Sequence, residues 1–323
     1  MNASPDHQKP GNELRRPILV GGAWILILAF VLWSVGQVLR DVTWYTALCF
    51  YIPSPLLAFA LLWQTCWLMR CNRKRLAGVL GVLALFPLSF TVAIENQWAA
   101  PAAPTVAADL PRLRLVHWNV WYARRGWEPI LRQLAELHAD IYVLSEAPRT
   151  LDVSEAVAAL GPDFTVQRFE DMAILARGEL HVHERRPIGR HGWGRLVDWD
   201  SPAGRFRLLT ADFPSHPRTH RAPLLAELER QIVQQQPDMI VGDFNAPRRS
   251  PGLMKLPDGY RHAYLTAGSG WSYTWPIFCP LWAIDQCIAG PRATPLHYEL
   301  QSTSLSDHRL QVCDFVVSRS KDN

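Results

Sequence analysis

The segment Ile240-Val241-Gly242-Asp243-Phe244-Asn245 joins an apolar run to a carboxylate and a carboxamide. The apolar run predicts a short buried strand, preceded by a helix over residues 219–236. Because side chains alternate across a strand, Asp243 and Asn245 are expected to point the same way while Phe244 packs into the core. The alternative interpretation is a turn, since Asp and Asn readily bond their own backbone. Residues elsewhere in the chain decide between the two.

Two predicted strands upstream also end in polar residues. The strand that starts at Leu113 ends at Asn119, and a second strand, over residues 141–144, is followed by Glu146. A helix predicted over residues 127–138 separates them, so the three elements form a βαβ-like unit. Such a unit brings both polar side chains to the same end of a sheet.

The last part of the domain adds three ionisable residues. Asp285 follows a short apolar run, and Asp307 and His308 stand just before a predicted closing strand over residues 310–317. A surface histidine is the ordinary interpretation of His308 alone. Its position beside Asp307, with Asp285 available to orient the imidazole ring, favours a functional site.

Three uncharged runs at the N-terminal side predict membrane helices over about 17–39, 43–69 and 76–94. Each run is long enough to span a bilayer. The third contains Pro87 and also fits a buried helix of a soluble core. Basic residues before the first run and within residues 70–75 are expected to stay cytoplasmic. The sequence therefore predicts a multi-pass protein of the plasma (inner) membrane, with everything after the third helix outside the cytoplasm.

The chain is accordingly divided into five parts. Residues 1–16 form a cytoplasmic N-terminus, residues 17–98 the membrane region, and residues 99–111 a linker of Pro and small residues. Residues 112–318 form the extramembrane domain, and residues 319–323 a tail.

Composition narrows the function of the extramembrane domain. Residues 1–111 carry 8 Lys and Arg against 5 Asp and Glu, and residues 112–323 carry 25 against 24. Near-neutrality disfavours a grip on long nucleic acid, which usually needs a basic face. The six cysteines form no zinc-binding cluster. Cys279 and Cys287 are predicted as buried thiols, with a disulfide between them as the alternative in an oxidising compartment.

Six segments, taken in order, resemble the endonuclease/exonuclease/phosphatase superfamily, which has the DNase I-like fold, and indicate a bacterial membrane-anchored member. They are Trp118-Asn119, Ser145-Glu146, Ala173–Arg177, Gly242–Asn245, Ile284-Asp285 and Ser306-Asp307-His308. The resemblance implies an α/β fold of four layers, a β-sandwich flanked by helices, here preceded by three transmembrane helices. It also implies a hydrolase that acts on phosphate ester bonds.

The same resemblance assigns roles to these residues. Asn119, Glu146 and Asp307 would hold Mg²⁺, with Mn²⁺ as a second candidate, and hard oxygen ligands suit both ions. The remaining assignments are Asp243 to orient or deprotonate the attacking water, Asn245 to hold the phosphate, His308 to donate to the phosphoryl oxygens or act in proton transfer, Asp285 to fix the His308 tautomer, and Arg177 to bind substrate.

One position departs from the superfamily. The strand that ends in Asp212 often ends in His in relatives, and some members use Tyr there. Asp212 could serve as the leaving-group acid only with a raised pKa, which burial beside other carboxylates would provide. His216, four residues further on, is the alternative acid.

The predicted function is a membrane-anchored, metal-dependent phosphoesterase, with a lipid or small phosphoester as its substrate. Its partners are that substrate and the bilayer, and no obligate protein partner is inferred. The first alternative is an extracytoplasmic nuclease, which would bind nucleic acid. The second is a catalytically silent membrane binding module.

Overall fold

The computed structural model describes residues 15–148, 150–188 and 192–318. The predicted tail and residues 1–14 of the predicted cytoplasmic segment lie outside this part of the chain.

The N-terminal region forms four helices. They are α1 Arg15–Leu39, α2 Trp44–Phe50, α3 Ser54–Arg70 and α4 Lys74–Phe90, which a π-helical turn extends over Thr91–Glu95.

Two segments of this region, Val20–Leu39 and Lys74–Glu95, are long and apolar enough to cross a membrane. The α2–α3 pair is a third candidate span only when both helices are counted together, because they meet at 55°. The helix predicted over residues 43–69 is therefore interrupted. Pro53 lies at the interruption, and proline disfavours helical conformation in the residue before it.

The remaining chain contains twelve strands within the described residues. They are β1 Arg112–Asn119, β2 Ile141–Ser145, β3 Phe164–Phe169, β4 Met172–Arg177, β5 Leu180–Ile188, β6 Gly192–Ser201, β7 Gly204–Asp212, β8 Met239–Asp243, β9 Arg261–His262, β10 Asp285–Ala289, β11 Ala293–Gln301 and β12 Leu310–Val317. The first sheet has the order β11-β12-β1-β2-β4-β3 and the second β5-β6-β7-β8-β10-β9. Both sheets are mixed, since β1 runs parallel to β2 and β7 parallel to β8.

The main core lies between the two sheets. Leu115 of β1, Phe206 of β7 and Val241 of β8 are all fully buried there. Alternation along β1 turns the next residue, Val116, to the opposite face of the first sheet, where it joins a second core cluster. Burial of each such side chain stabilises the fold by about 2 kcal/mol.

Helices cover the outer faces of both sheets. They are α5 Trp127–Leu137, α6 Val153–Leu160, α7 Ala222–Gln235 and α8 Pro251–Met254, whereas α9 Ala263–Ala267 packs into the core between the sheets. Leu134 of α5 packs on the first sheet, and Leu228 of α7 packs on the second. Their spacing of apolar residues gave the sequence prediction for α5 and α7, whose ends the structure moves by only a few residues.

The N-terminal helices dock directly onto the domain formed by the two sheets. Ser250 Oγ donates a hydrogen bond to Asp41 Oδ2 at 2.6 Å, and the Tyr273 hydroxyl donates to Glu95 Oε2 at 2.5 Å. Arg249 Nη1 also contacts the N-terminal helices: it donates to Gln37 Oε1 at 2.5 Å and lies 3.9 Å from Glu95 Oε1. Residues 99–111 are thus not the sole connection between the two parts.

The two cysteines considered for a disulfide are both free thiols. Cys287 is buried between the sheets, where its Sγ lies 3.8 Å from Met239 Sδ. Cys279 is exposed, so the prediction of buried thiols holds for Cys287 only.

Candidate active site

Polar residues from both sheets meet at one edge of the sandwich. β1 ends at Asn119, which pairs with Ser145 at the end of the parallel strand β2. In the second sheet, Asp243 at the end of β8 pairs with Asp285 at the start of β10. Because the two sheets pack face to face, these strand ends lie close together.

A hydrogen bond between side chains joins the two sheets at this edge. Asn119 Nδ2 donates to Asp243 Oδ2 at 3.1 Å, and both residues are almost fully buried. The second oxygen of Asp243 accepts from the backbone N–H of Asn245 at 2.9 Å. Asn245 has a φ of 46°, so the strand ends in a turn after Asp243. Both interpretations of this segment are therefore realised, since Phe244 is fully buried.

His308 faces Asp243 and Asp285. Its Nδ1 lies 2.9 Å from Asp285 Oδ2, and its Nε2 lies 3.9 Å from Asp243 Oδ2. Burial lowers the pKa of His308, but Asp285 and the other nearby carboxylates outweigh burial and raise that pKa to about 10. The imidazole is accordingly protonated at neutral pH and can donate from Nε2.

The pKa values of Asp243 and Asp285, which pair across β8 and β10, shift in opposite directions. The pKa of Asp243 is raised to about 7, mainly by burial and then by the charge of Asp285, although His308 opposes both effects. A carboxylate with a pKa near neutrality can accept a proton from water. The pKa of Asp285 is lowered because His308 outweighs the effect of burial, so Asp285 stays ionised.

Glu146 and Asp307 supply further carboxylates at the same edge. Glu146 has a left-handed backbone, with φ of 48°, at the sharp turn after β2. Its pKa is raised, first by burial and also by the charges of Asp307 and Asp285. Asp307 Oδ2 accepts a hydrogen bond from Trp275 Nε1 at 3.0 Å, and its Oδ1 is buried without a partner among the described residues.

Asp212 and His216 line a neighbouring cavity of about 800 Å³ that also reaches Glu146 and Asn245. Burial raises the pKa of Asp212 well above its usual value, and the charges of Asp243 and Glu146 raise it further. The raised pKa expected of a leaving-group acid is thus present at this position.

The structure does not bring Arg177 into the site. Antiparallel pairing places the other end of β4, Met172, beside Ser145 and leaves Arg177 five residues away. At about 3.3 Å per residue, that separation is about 16 Å. Arg177 instead lies 3.4 Å from Asp163 and packs over the Phe164 ring. The prediction that Arg177 binds substrate is therefore corrected. The sequence match covered the whole of β4, and Arg177 lies at the end of β4 that points away from the site.

Sequence reasoning missed His117, which lies behind the site. His117 Nδ1 accepts from Gln311 Nε2 at 2.7 Å and lies 4.0 Å from Asp285 Oδ1, and its Nε2 faces Ser145 Oγ at 3.1 Å. Burial lowers its pKa to about 4, so the ring is neutral. Its position two residues before Asn119, on the inward face of a strand, was a usable signal.

Sequence reasoning also missed residues that line the site from elsewhere. A second cavity, of about 510 Å³, is lined by Asp243 and His308 on one side and by Leu48 and Tyr51, at the end of α2, on another. Arg221, just before α7, lines the same cavity. The apolar run containing Leu48 and Tyr51 indicates a membrane segment and gives no sign of contact with the site.

Comparison with known structures identifies the fold. An endonuclease/exonuclease/phosphatase family protein from Bacteroides thetaiotaomicron shares 13% identity, with 65% of this chain and 100% of that chain covered, at a TM-score of 0.53. A Bacteroides vulgatus endonuclease/exonuclease/phosphatase shares 16%, covering 64% and 100%, at 0.52. A mannosyl-6-phosphatase from Bacteroides thetaiotaomicron shares 13%, covering 63% and 99%, at 0.51. The structural similarity establishes the DNase I-like fold, and at these low identities it establishes nothing beyond the fold.

Comparison with curated proteins found no match. The sequence profile described as "Endonuclease/Exonuclease/phosphatase family" matches residues 116–308, more than half of the chain. That range contains the strand ends and all the acidic and histidine residues of the candidate active site. This chain therefore belongs to the endonuclease/exonuclease/phosphatase family and is a hydrolase that acts on phosphate ester bonds.

Proposed function

We propose that this protein is a bacterial membrane-anchored, divalent-metal-dependent phosphoesterase whose active site lies outside the cytoplasm and acts on a lipid or small phosphoester. The proposal includes three membrane crossings and the four-layered domain. The observation that carries it is the pairing of His308 with Asp285 beside Asp243, next to two carboxylates, Glu146 and Asp307, the second of which keeps a buried oxygen without a partner among the described residues.

The residues present fit a hard divalent cation. Asp307 lies close enough to Glu146 for its negative charge to raise the pKa of Glu146. One buried Asp307 oxygen has no partner among the described residues. Asn119 Oδ1 accepts one hydrogen bond, from Trp121 N at 3.0 Å, and keeps a second lone pair. An all-oxygen donor set favours Mg²⁺ or Mn²⁺ over zinc.

Another group of possible ligands, Asp243, Asp285 and His308, is close enough to hold an ion. Hydrogen bonds already engage both oxygens of Asp243, one oxygen of Asp285 and the Nδ1 atom of His308. Glu146, Asp307 and Asn119 are therefore the better candidates.

The chemistry follows from the charge states of these side chains. A bound cation would neutralise the phosphoryl oxygens and polarise the ester. Asp243, with its pKa near 7, accepts the proton of the attacking water. His308 donates a hydrogen bond from Nε2 to a phosphoryl oxygen, and Asp285 holds its ring in place. Asn245 keeps one amide N–H for the phosphate, since the other donates to Phe213 O at 2.9 Å.

The leaving group leaves with a proton from Asp212. Burial raises the pKa of Asp212 well above its usual value, which favours the protonated form, and Asp212 lines a cavity together with Glu146 and Asn245. We assign Asp212 the role of acid and keep His216, in the same cavity, as the alternative.

The placement relative to the membrane rests on the helices. Leu39, Trp44 and Glu95 lie at the ends of helices that face the hydrolase domain, and the basic residues 70–75 lie at the α3–α4 turn. The positive-inside rule places such a basic turn in the cytoplasm. The domain then lies outside.

The test uses the full-length protein purified in detergent, with Mg²⁺ or Mn²⁺. Its activity is measured on phospholipid vesicles, on soluble p-nitrophenyl phosphate esters and on plasmid DNA, with Asp243→Ala and His308→Ala as comparisons. Metal-dependent turnover of lipid or small ester that both substitutions abolish supports the proposal. DNA cleavage alone would make the protein a nuclease, and no turnover on any substrate would favour a silent binding module.

The location is tested separately. A reporter that is active only outside the cytoplasm, fused after the last residue, is expected to be active. A stable but silent fusion would overturn the outward orientation.

A further inference from the structure

The cavity next to the catalytic residues has a wall made by the membrane region. Leu48 of α2 and Tyr51, at the break before α3, line it together with Asp243 and His308. Its volume of about 510 Å³ is in the range of sites that bind small molecules. The phosphoesterase site is thus bounded by residues on both sides of the linker.

Hydrogen bonds hold this wall in place. Trp282 Nε1, from the cavity lining of the domain, donates to the backbone carbonyl of Tyr51 at 3.0 Å. On the other side of α2, His220 Nε2 lies 2.8 Å from the carbonyl oxygen of Val42. The break between α2 and α3 is therefore fixed over the cavity.

Two polar groups in the cavity lining have unused donors. Arg221 is only 2% exposed; its Nη atoms donate to backbone carbonyls, including that of Thr219 at 2.9 Å, and its Nε has no partner among the described residues. The Tyr51 hydroxyl is also buried, and its proton has no acceptor among the described residues, while the Arg221 guanidinium lies 5.5 Å from its ring and close enough to interact with its oxygen. Unpaired buried donors destabilise a fold unless a ligand takes them up.

The charge of Arg221 is not paired within the described part of the chain. Within the described residues, no carboxylate oxygen lies within 4.0 Å of the Arg221 guanidinium. Asp41 is near enough to interact electrostatically, but its Oδ2 accepts from Ser250. A buried guanidinium beside a phenol whose proton has no described acceptor is suited to an anionic or strongly polar oxygen.

Part of the cavity lining is apolar. Trp121, Trp282 and Ile284 line it, and Leu48 is 44% exposed at its membrane side. The helix α2 lies at the end of the candidate spans that faces the domain, the level at which lipid headgroups are expected. A ligand that matches this lining would have a phosphoester for Asp243 and His308, a second polar oxygen for Tyr51 and Arg221, and a hydrocarbon part for the apolar residues.

We infer that the membrane region forms part of the substrate-binding site and that the substrate is a phospholipid of the surrounding bilayer. The scissile phosphate lies at Asp243 and His308, while the Tyr51 hydroxyl and Arg221 bind a neighbouring polar oxygen of the lipid. Leu48 contacts the start of its acyl chain. This inference rests on the proposed function and adds the substrate class and two substrate-binding residues.

The test compares Tyr51→Phe with Tyr45→Phe in the full-length protein. Tyr45 lies on α2, six residues before Tyr51; it is 65% exposed and does not line the cavity. Each variant is assayed for kcat/KM on mixed vesicles of phosphatidylethanolamine, phosphatidylglycerol and phosphatidic acid, and on a soluble p-nitrophenyl phosphate ester. The ratio of lipid to soluble-ester kcat/KM cancels any general loss of active protein.

Tyr51→Phe is expected to lower this ratio by about tenfold, the effect of one lost hydrogen bond to a polar group, whereas Tyr45→Phe leaves it unchanged. Arg221→Lys, which keeps the charge and loses the planar fork, is expected to lower the ratio as well. An unchanged ratio in both Tyr51→Phe and Arg221→Lys overturns the inference while leaving the phosphoesterase proposal intact. Wild-type protein that hydrolyses the soluble ester and no lipid overturns it too, and protein that hydrolyses neither overturns the proposed function itself.

Discussion

His308 and Asp285 form a buried pair in which the imidazole Nδ1 lies 2.9 Å from a carboxylate oxygen. Burial alone would lower the pKa of His308, and Asp285 is the main reason that it is raised instead. The protonated ring is thus a property of the pair. Each partner comes from a different sheet, β10 or the turn before β12, so the sandwich must assemble before the charge is stabilised.

Asp285→Asn is expected to lower kcat by roughly 10²- to 10⁴-fold, the usual effect of losing a positioned proton donor. His308 is active when protonated, so activity falls as pH rises through its pKa. Removal of the Asp285 charge lowers that pKa, and the alkaline limb of the pH–rate profile moves to lower pH. The matched control is Asp314→Asn, a strand carboxylate that pairs with Arg114. An alkaline limb that stays in place in Asp285→Asn would count against this role.

Glu146→Gln is expected to weaken metal binding, because it removes one of the two carboxylates with oxygens available to a cation. The measurement is the rise in Tm when Mg²⁺ is added to protein freed of metal by a chelator. Wild type should gain stability through linkage, and Glu146→Gln should gain clearly less at the same concentration. Glu136→Gln, on the exposed face of α5, is the control. Equal gains in all three proteins would exclude Glu146 as a ligand.

Gly242→Ala is expected to destabilise the domain by about 1–3 kcal/mol, as overpacking does. A Cβ at this position would lie 1.8 Å from the carbonyl oxygen of Ala211 on the neighbouring strand β7. Thermal unfolding measures the loss as a lower Tm. Gly78→Ala is the control, since a Cβ there meets no atom within 4 Å. Equal Tm values for the two variants would contradict the close approach of β7 and β8 at Gly242.

Much of the site was predictable because strand ends leave a pattern in sequence. An apolar run that stops at Asn119, Glu146, Asp243 or Asp285 already indicates a polar group at a sheet edge, and the superfamily resemblance added the order. The sandwich then brings these residues together through pairings such as Asp243 with Asp285. Such pairings join residues far apart in the chain, and local patterns cannot show which strands pair.

The errors have equally physical causes. Arg177 was assigned to the site from a motif without regard to which end of β4 faces the cavity. Strand β11 was not predicted, since its exposed edge carries few apolar residues. Tyr51 and Arg221 escaped notice because their role depends on docking between two regions, each of which looks self-sufficient in sequence.

His262 is expected to make the domain acid-sensitive. Burial and the nearby Arg248 lower its pKa to about 3, and its Nδ1 is buried without a described partner. A folded-state pKa below the unfolded value of about 6.5 means that this contribution is fully present above pH 6.5 and is lost as pH falls toward 3. The slope is at most about 1.4 kcal/mol per pH unit for one proton.

The variant His262→Gln removes this titration and keeps an amide able to donate to Leu253 O, which His262 Nε2 meets at 2.8 Å. Its Tm should fall less between pH 7 and pH 5 than that of wild type. Some dependence remains, because buried His117 also has a lowered pKa, of about 4. A variant with the full wild-type decline would remove His262 from the explanation.

Arg177→Ala is expected to leave kcat and KM within about twofold of wild type and to cost at most about 1 kcal/mol of stability, since its ion pairs are exposed. Steady-state kinetics on the preferred substrate and thermal unfolding measure both effects. A large rise in KM would restore the original assignment of this residue to substrate binding.

The position of Leu48 and Tyr51 also affects how relatives should be compared. The family profile begins at residue 116, so two residues of the cavity lie outside the region by which membership is recognised. Two proteins with identical catalytic residues can therefore differ in what they accept if their membrane segments differ. Substrates inferred from the family domain alone describe only one wall of this cavity, and specificity can diverge in evolution without any change at the catalytic residues.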